Sequence, residues 1–343
     1  MLKLKSFSPV VSVLFALMIG NRAAMIAQTP AALVYTDANR GPAPIPSAER
    51  GLQTVTAEPW FKVSEKDMQL EGAAFDRAGD LLFVDVYGGR VLRLDPQKHL
   101  SAIVTRPGWN PSGIAIHRDG RLYVASVADG KLAGSVLAMQ PDGSSVEEIV
   151  PAKAGYRPND LVFDAQGGFY LTDFKGTSTE PQGGVYYVSP KGQVNSVLPR
   201  VAMANGVALS PNGKELWITE YGRNQLHRIE LQDATTVAPF GTAIAYHFIG
   251  PAPDSMRADV DGNLYVAIYG QGRVLVFNKN GLPIGQILLP GREAGHNLHS
   301  TSMAFRPGTN DLYIVSNDAD GGKGANVFHA KGFAKGLVLY SHR

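Results

Sequence analysis

The chain has 343 residues, a formal net charge of +2 and no cysteine. With 44% hydrophobic and 18% charged residues, its composition is that of a globular protein and excludes a disordered chain. The absence of cysteine excludes disulfides, thiolate nucleophiles and thiolate metal ligands. The near-neutral charge argues against a nucleic-acid partner or an anionic-membrane function. The 38 glycines and 22 prolines indicate many short strands joined by turns.

The first 27 residues have the order of a secretory signal peptide, which we predict at 1–27. Lys3 and Lys5 precede an apolar run at 9–20, and small residues follow. This run is shorter than the roughly 20 residues that a membrane helix needs. We therefore expect a periplasmic or secreted protein with no membrane association beyond the signal. Residues 28–51 are rich in Ala, Pro and Ser and are predicted to be a linker.

One unit recurs six times in residues 52–343: an apolar strand, a tight turn and a second apolar strand. Successive turn glycines are 41 to 49 residues apart, which suits a four-stranded unit. We therefore predict an all-β fold, a six-bladed β-propeller with four-stranded blades. The segment 52–63 is expected to add a strand that closes the ring with the last blade. The turn glycines are Gly79, Gly120, Gly167, Gly213, Gly262 and Gly308.

A polar position precedes the first apolar strand of every repeat. Each of these residues lies eight positions before its turn glycine and has an oxygen-bearing side chain. Because the first strands of propeller blades line the central channel, the six side chains are predicted to form a ring around the axis. The ring consists of Glu71, Ser112, Asn159, Asn205, Asp254 and Ser300.

The side chains of this ring predict a divalent cation. Two carboxylates across a narrow channel repel each other unless one is protonated or a cation lies between them. Carboxylate and amide oxygens are the ligands that Ca²⁺ prefers, whereas zinc favours imidazole and thiolate. We predict one Ca²⁺ at the axis, with Ser255 or a water nearby. The alternative is a wet channel mouth without a ligand. The predicted ligands are Glu71, Asn159, Asn205 and Asp254.

Longer stretches around the ring resemble a known family. They are LEG at 70–72, RPND at 157–160, ANGVALS at 204–210 and PDSMRADVDGNLYVAIYGQGRVLVFN at 253–278. These stretches are similar to the senescence marker protein, gluconolactonase and luciferin-regenerating enzyme family. Within it, the chain resembles the drug-responsive calcium-dependent lactonases more closely. The resemblance covers most of the predicted propeller.

The resemblance implies roles for the ring residues. Glu71, Asn159, Asn205 and Asp254 match the catalytic metal ligands of the family, and Ser255 follows Asp254 as in the drug-responsive branch. The position of Asp254 is also the one to which the family assigns proton transfer.

Two positions depart from the drug-responsive branch. Asn159 stands where that branch has Asp and the sugar lactonases have Asn, and Arg157 resembles the substrate-contacting arginine of the sugar lactonases. Leu132 and Pro151 stand where the drug-responsive branch has the Ser and Asp of a second, structural calcium site. That second ion is therefore doubtful for this chain.

We expect a lactonase, a hydrolase of carboxylic ester bonds, that acts on a small-molecule lactone. A cation at the ring would polarise the carbonyl, and Asp254 would accept a proton from the attacking water as general base and later act as general acid. The predicted substrate-binding residues are Arg157, Ser112, Ser300 and His299; His296 and His299 could also carry protons.

Other functions are compatible with the same residues. The protein could be a non-catalytic binding or scaffold propeller in which the axial calcium is structural. It could also be an esterase or phosphotriesterase with the same metal site, or a condensation enzyme on a related metal-free propeller, which the presence of Glu71 and Asp254 disfavours. We expect a monomer without a nucleic-acid partner.

Overall fold

The structure is a computed structural model that describes residues 33, 36, 40–127 and 134–343. The described residues do not include the predicted signal peptide at 1–27 or Leu132. Of the predicted linker before residue 40, they include only residues 33 and 36. Cleavage of the signal and export therefore stay predictions. In the part of the chain that the structure describes, no helix has the length and apolarity to cross a membrane.

Two strands, β1 (Gln53–Thr56) and β2 (Glu58–Ser64), precede the repeats. The repeats then form six sheets, or blades, in chain order. Blade 1 contains β3 (Leu70–Phe75), β4 (Leu81–Asp85), β5 (Arg90–Leu94) and β6 (Leu100–Thr105). Blade 2 contains β7 (Pro111–Ile116), β8 (Leu122–Ser126), β9 (Ser135–Met139) and β10 (Glu147–Val150). Blade 3 contains β11 (Pro158–Phe163), β12 (Phe169–Asp173), β13 (Gly183–Val188) and β14 (Val194–Val201).

The second half of the chain repeats this plan. Blade 4 contains β15 (Ala204–Leu209), β16 (Glu215–Glu220), β17 (Gln225–Leu231) and β18 (Val237–His247). Blade 5 contains β19 (Pro253–Ala258), β20 (Leu264–Ile268), β21 (Arg273–Phe277) and β22 (Pro283–Leu288). Blade 6 contains β23 (His299–Phe305), β24 (Asp311–Asn317) and β25 (Ala325–Lys331). Short 3₁₀ helices lie at Ser47–Glu49, Ala152–Ala154, Tyr221–Arg223, Arg292–Ala294, Ala319–Gly321 and Tyr340–His342.

The N-terminal strands complete two of the blades. β2 pairs antiparallel with β25 and supplies the fourth strand of blade 6. The prediction that this segment adds a strand to the last blade and closes the propeller is confirmed. β1 pairs parallel with β22 and gives blade 5 a fifth strand, which the sequence analysis missed. Its residues are all exposed, so no apolar alternation indicated a strand there.

The six-bladed β-propeller predicted from the repeat is confirmed. The inner strands β3, β7, β11, β15, β19 and β23 contact one another in that order, and β23 contacts β3. Six apolar clusters fill the spaces between consecutive blades. All six turn glycines have φ between 68° and 95°, a backbone conformation that other residues rarely adopt. The inner strands therefore meet at one axis, where they bring the ring residues together.

Residues 40–51, the continuous described part of the predicted linker, pack on blades 4 and 5. Glu49 is only 1% exposed, and its carboxylate lies 2.5 Å from Nη1 of Arg273. It also accepts a hydrogen bond of 2.6 Å from the hydroxyl of Tyr246. This stretch is therefore held by specific contacts, while the proposed domain boundary at residue 52 stays a prediction.

Candidate functional site

The six ring residues occupy one equivalent position in the fold. Each is the second residue of its inner strand, and each is buried, with an exposure between 0% and 8%. In all six blades the pairing of the inner strand with the next strand changes register at or just after this position. Such irregularities re-aim side chains and are frequent beside active sites. The ring therefore lies where each inner strand leaves the regular ladder.

Glycine follows the ring position in three of the blades. A Cβ atom at Gly72, Gly113 or Gly206 would lie less than 3 Å from a backbone carbonyl oxygen of the ring residue in the next blade. Real Cβ contacts are not that short, so these positions require glycine. The close approach of consecutive inner strands narrows the channel at the ring.

Glu71 and Asp254 lie close to each other in the ring, and each affects the pKa of the other. Burial raises the pKa of both carboxyls, and the charges of Asp254 and Asp160 raise that of Glu71 further. The backbone N–H of Gly72 donates to Glu71 at 3.2 Å, and that of Ser255 donates to Asp254 at 3.0 Å. These donors do not outweigh the cost of burying two adjacent carboxylates. A proton or a cation between them would relieve the repulsion.

Asn205 supplies a third oxygen beside this pair. Its side chain hydrogen-bonds to Asp254, while its own Oδ1 atom is buried and has no hydrogen-bond partner among the described residues. A buried carbonyl oxygen without a partner is costly, and a hard cation would satisfy it. Within the described ranges, no three His, Asp or Glu side chains cluster in a way that could hold a metal ion. The candidate set with Asn159 is instead two carboxylates and two amides, a donor set that fits Ca²⁺.

The two ring serines bond to backbone rather than to the carboxylates. Ser112 Oγ donates to the carbonyl of Pro158 at 3.1 Å. Ser300 Oγ donates to the carbonyls of Ile268 and Arg273 at 3.0 and 3.1 Å. Each hydroxyl therefore links neighbouring blades, and the substrate contact predicted for both serines stays a prediction.

An aromatic wall lies above the ring, formed by Phe174, Tyr221, Tyr269 and His299. His299 stacks on Tyr269 with centroids 4.3 Å apart and an interplanar angle of 11°. Tyr221 lies 6.3 Å from Tyr269 and 5.5 Å from Phe174 between ring centroids. Burial, followed by the charge of Asp254, raises the pKa of Tyr269 to about 12 and raises that of Tyr221 as well. Both phenols therefore lie close to the carboxylate pair.

The hydrogen bonds of His299 fix its tautomer. Its Nδ1 lies 3.0 Å from Oδ1 of Asn317. That oxygen also accepts from the backbone of Ala319, while the Asn317 amide donates to Gln69 at 2.8 Å. Nδ1 therefore carries a proton, and in the tautomer with a single ring proton the lone pair is on Nε2. His296, by contrast, bonds through Nδ1 to Asp318 at 3.1 Å.

Arg157 is anchored at the end of blade 3. Its backbone N–H donates to the carboxylate of Asp173 at 2.8 Å, and its Nε donates to the carbonyl of Val127 at 3.4 Å. The residue lies two positions before Asn159 on the same chain segment. The substrate role of Arg157 stays a prediction.

A buried ion pair lies beneath the ring, and the sequence analysis missed it. Arg257 donates to Asp160 at 3.1 Å and to the carbonyl of Ala73 at 3.1 Å. It thereby reaches from the inner strand of blade 5 to those of blades 3 and 1. The only sequence signal is that Asp160, a fully buried acid, directly follows ring residue Asn159.

Comparisons with known proteins find a matching family model and similar relatives. The family model described as SMP-30/Gluconolactonase/LRE-like region matches residues 70–318. The protein named lactonase drp35 of Staphylococcus saprophyticus is 48% identical over 313 residues, which cover 90% of this chain and 97% of the relative. Its namesake in Staphylococcus haemolyticus is 49% identical over 315 residues, with 90% and 97% covered.

The solved structures extend this comparison at the level of the fold. A calcium-binding protein, regucalcin, from Agrobacterium tumefaciens superposes with a TM-score of 0.68 at 19% identity, covering 85% of this chain and 98% of that chain. Since the family model spans the ring from Glu71 to Ser300 and the relatives match nearly the whole chain, this protein belongs to the SMP-30, gluconolactonase and luciferin-regenerating enzyme family.

Proposed function

We propose that the protein is a calcium-dependent lactonase that hydrolyses the cyclic ester of a small lactone. The observation that carries the proposal is the buried pair of Glu71 and Asp254 beside the unpartnered Oδ1 of Asn205. The name lactonase of the relatives at 48% and 49% identity supports the reaction class.

Four side chains of the ring would hold the cation. Glu71 and Asp254 would bind it through carboxylates, and Asn159 and Asn205 through amide oxygens, with Ser255 beside Asp254. When bound, Ca²⁺ would polarise the lactone carbonyl and stabilise the charge that develops on its oxygen. A second, structural calcium remains doubtful, because Pro151 offers no side-chain oxygen.

Asp254 is proposed as the general base and later the general acid. Its carboxylate lies at the axis, where it can accept a proton from the attacking water and return that proton to the leaving alkoxide. The hydrogen bond from the backbone of Ser255 keeps its Oδ1 atom in a fixed orientation. The lactone opens as water adds to its carbonyl carbon and the ester C–O bond breaks, giving a hydroxy acid.

The aromatic wall and its neighbours would bind the substrate. Tyr221 and Tyr269 present ring faces beside the carboxylates, and the tautomer of His299 leaves Nε2 as an acceptor for a hydroxyl or water. Arg157 provides a cation for the product carboxylate. Ser112 and Ser300 are retained as predicted substrate contacts, although their hydroxyls bond to backbone in this structure.

The proposal is tested on purified protein with a panel of γ- and δ-lactones, aromatic lactones and organophosphate esters, each with Ca²⁺ and with a chelator. Lactone hydrolysis that is lost on chelation and regained with Ca²⁺ is the expected result. Stoichiometric calcium without turnover of any compound would favour a structural ion in a binding or scaffold propeller. Turnover of phosphotriesters alone would reassign the reaction.

Export and a monomeric state accompany this proposal. Amino-terminal sequencing of the mature protein from the periplasm or medium tests cleavage near residue 27. A mass in solution near twice that of the chain would contradict the monomer.

A further inference from the structure

Each inner strand that carries a proposed calcium ligand receives a hydrogen bond from a buried hydroxyl of the preceding blade. Thr301 of blade 6 donates to the carbonyl of Leu70, next to Glu71, at 2.6 Å. Ser112 of blade 2 donates to Pro158, next to Asn159, at 3.1 Å. In the other two cases the acceptor is the carbonyl of the ligand residue itself. Thr172 donates to Asn205 at 2.5 Å, and Thr219 donates to Asp254 at 2.8 Å.

Thr172 and Thr219 make the same pair of bonds in consecutive blades. Each hydroxyl also accepts from the inner strand of its own blade: Thr172 from the N–H of Asp160 at 3.0 Å, and Thr219 from that of Gly206 at 2.7 Å. These N–H groups belong to the residues directly after the ring position, where the pairing of the strands is interrupted. Each hydroxyl accepts one hydrogen bond and donates another to the next blade, which fixes its orientation from both sides. The carbonyl of Asp160, 3.3 Å from Oγ1 of Thr172, is a second and more distant acceptor for that hydroxyl.

The equivalent position in the other blades does not make this link. Thr172 and Thr219 are the penultimate residues of the second strand of their blades. In three blades this position is occupied by Val84, Ala125 and Ala267, which have no hydroxyl. In blade 6 it is occupied by Ser316, which donates to the carbonyl of Asn297, just before the first strand of the same blade, at 3.2 Å. Among the described blades, the double link is therefore made only in front of the two strands that carry Asn205 and Asp254.

We infer that Thr172 and Thr219 are positioning residues for the calcium site. By holding the carbonyls of Asn205 and Asp254, they fix the backbone from which the unpartnered amide oxygen and the proposed base project. Ca²⁺ requires its oxygens at about 2.3 to 2.6 Å, so small rotations of these residues would weaken binding. Both threonines are fully buried and β-branched, which limits their own rotation. The inference rests on the proposed function, because it assumes that Ca²⁺ binds at the ring.

The test is calorimetric titration of the full-length, chelator-treated protein with CaCl₂. Thr172→Val and Thr219→Val keep the shape of the side chain and remove the hydroxyl, and each is expected to raise the Kd for Ca²⁺ on the order of tenfold. Thr172→Ser and Thr219→Ser keep the hydroxyl and should stay within about threefold of the wild type. Ser316→Ala is the matched control, since it removes a buried hydroxyl at the same position of a blade without touching a ligand strand.

The melting temperature without calcium separates positioning from simple stabilisation. The valine variants and Ser316→Ala each lose a buried hydrogen bond and should melt at lower temperature, but only the valine variants should bind Ca²⁺ more weakly. A wild type that binds no Ca²⁺ would overturn the proposed function and this inference together. A wild type that binds, with valine variants of unchanged Kd, would overturn this inference alone. If the valine variants do not fold, Thr172→Ala and Thr219→Ala replace them, and an unchanged Kd in the alanine variants would overturn the inference. A tenfold loss of affinity in the serine variants would assign the effect to the methyl group and would also overturn it.

Discussion

The guanidinium of Arg257 donates to the carboxylate of Asp160 across the channel, at 3.1 Å, and so joins the inner strands of blades 5 and 3 beneath the ring. Burial raises the pKa of Asp160, and the charge of Arg257 opposes that rise. The side chains are only 13% and 0% exposed, so neither charge is screened well by water. The guanidinium offsets only part of the charge of Asp160, which still raises the pKa of Glu71 and Asp254.

Removal of Arg257 alone should therefore be costly. Arg257→Met leaves a buried carboxylate without its partner, and we expect it to lower the free energy of unfolding by about 3 kcal/mol. In the double variant Arg257→Met/Asp160→Asn no buried charge is left unpaired, and stability should recover in part. Urea denaturation of the three proteins checks this, and a loss below about 1 kcal/mol in the single variant would contradict a buried ion pair.

Asp254→Asn should abolish turnover and leave the fold intact. The amide cannot accept the proton of the attacking water, so kcat is expected to fall by on the order of 10³. The variant also removes one of two buried carboxylates that repel each other, so the chelated variant should melt at the temperature of the chelated wild type or higher. Lactone assays and thermal melts provide both readings, and activity near that of the wild type would refute the role of Asp254.

Bound calcium should raise the stability of the folded protein, whereas a rise in pH should lower the stability of the calcium-free protein. The pKa values of Glu71 and Asp254 are raised in the folded protein, so the unfolded chain releases these protons at lower pH than the folded one does. In the chelated protein, the tighter proton binding of the folded state contributes to stability. This contribution is complete below the unfolded-state pKa values, near 4, and is lost as pH rises towards the raised pKa values of the folded state.

Bound Ca²⁺ replaces the protons, so the increase in melting temperature caused by Ca²⁺ should grow with pH over the same range. Melts with saturating Ca²⁺ and with a chelator, at several pH values, measure this increment. An increment independent of pH would contradict binding at the carboxylate pair, and Glu71→Gln should flatten the dependence.

Gly206→Ala should disturb the ring directly. The added Cβ would lie less than 3 Å from the carbonyl oxygen of Asp254, so consecutive inner strands must separate. We expect a loss of about 1 to 3 kcal/mol in unfolding free energy together with weaker calcium binding. Gly51→Ala is the control, because nothing lies within 4 Å of its added Cβ. Equal effects of the two substitutions on calcium binding would show that the close approach at Gly206 is unimportant.

The amino-acid sequence by itself determined the number of blades and the position of the ring. The tight turns of the repeats require positive φ, which glycine adopts readily, so Gly79 and its five equivalents mark each repeat in the sequence. The strand between ring and turn has a constant length, so a fixed offset of eight residues selects Glu71, Asp254 and the other ring members. The number of blades and the position of the ring both depend on residues that are near one another in the chain, so they can be predicted without a structure.

Only the tertiary structure decided which of these residues meet and what holds them. The pairing of β1 with β22, the contact of Glu49 with Arg273, the bond of Arg257 to Asp160 and the links from Thr172 and Thr219 join residues far apart in the chain. No periodicity encodes such contacts, because they depend on how the blades pack and on the narrow axis that results. Packing turned a row of six polar residues into a buried carboxylate pair with an unpartnered amide oxygen, since removal from water gives these groups their chemistry.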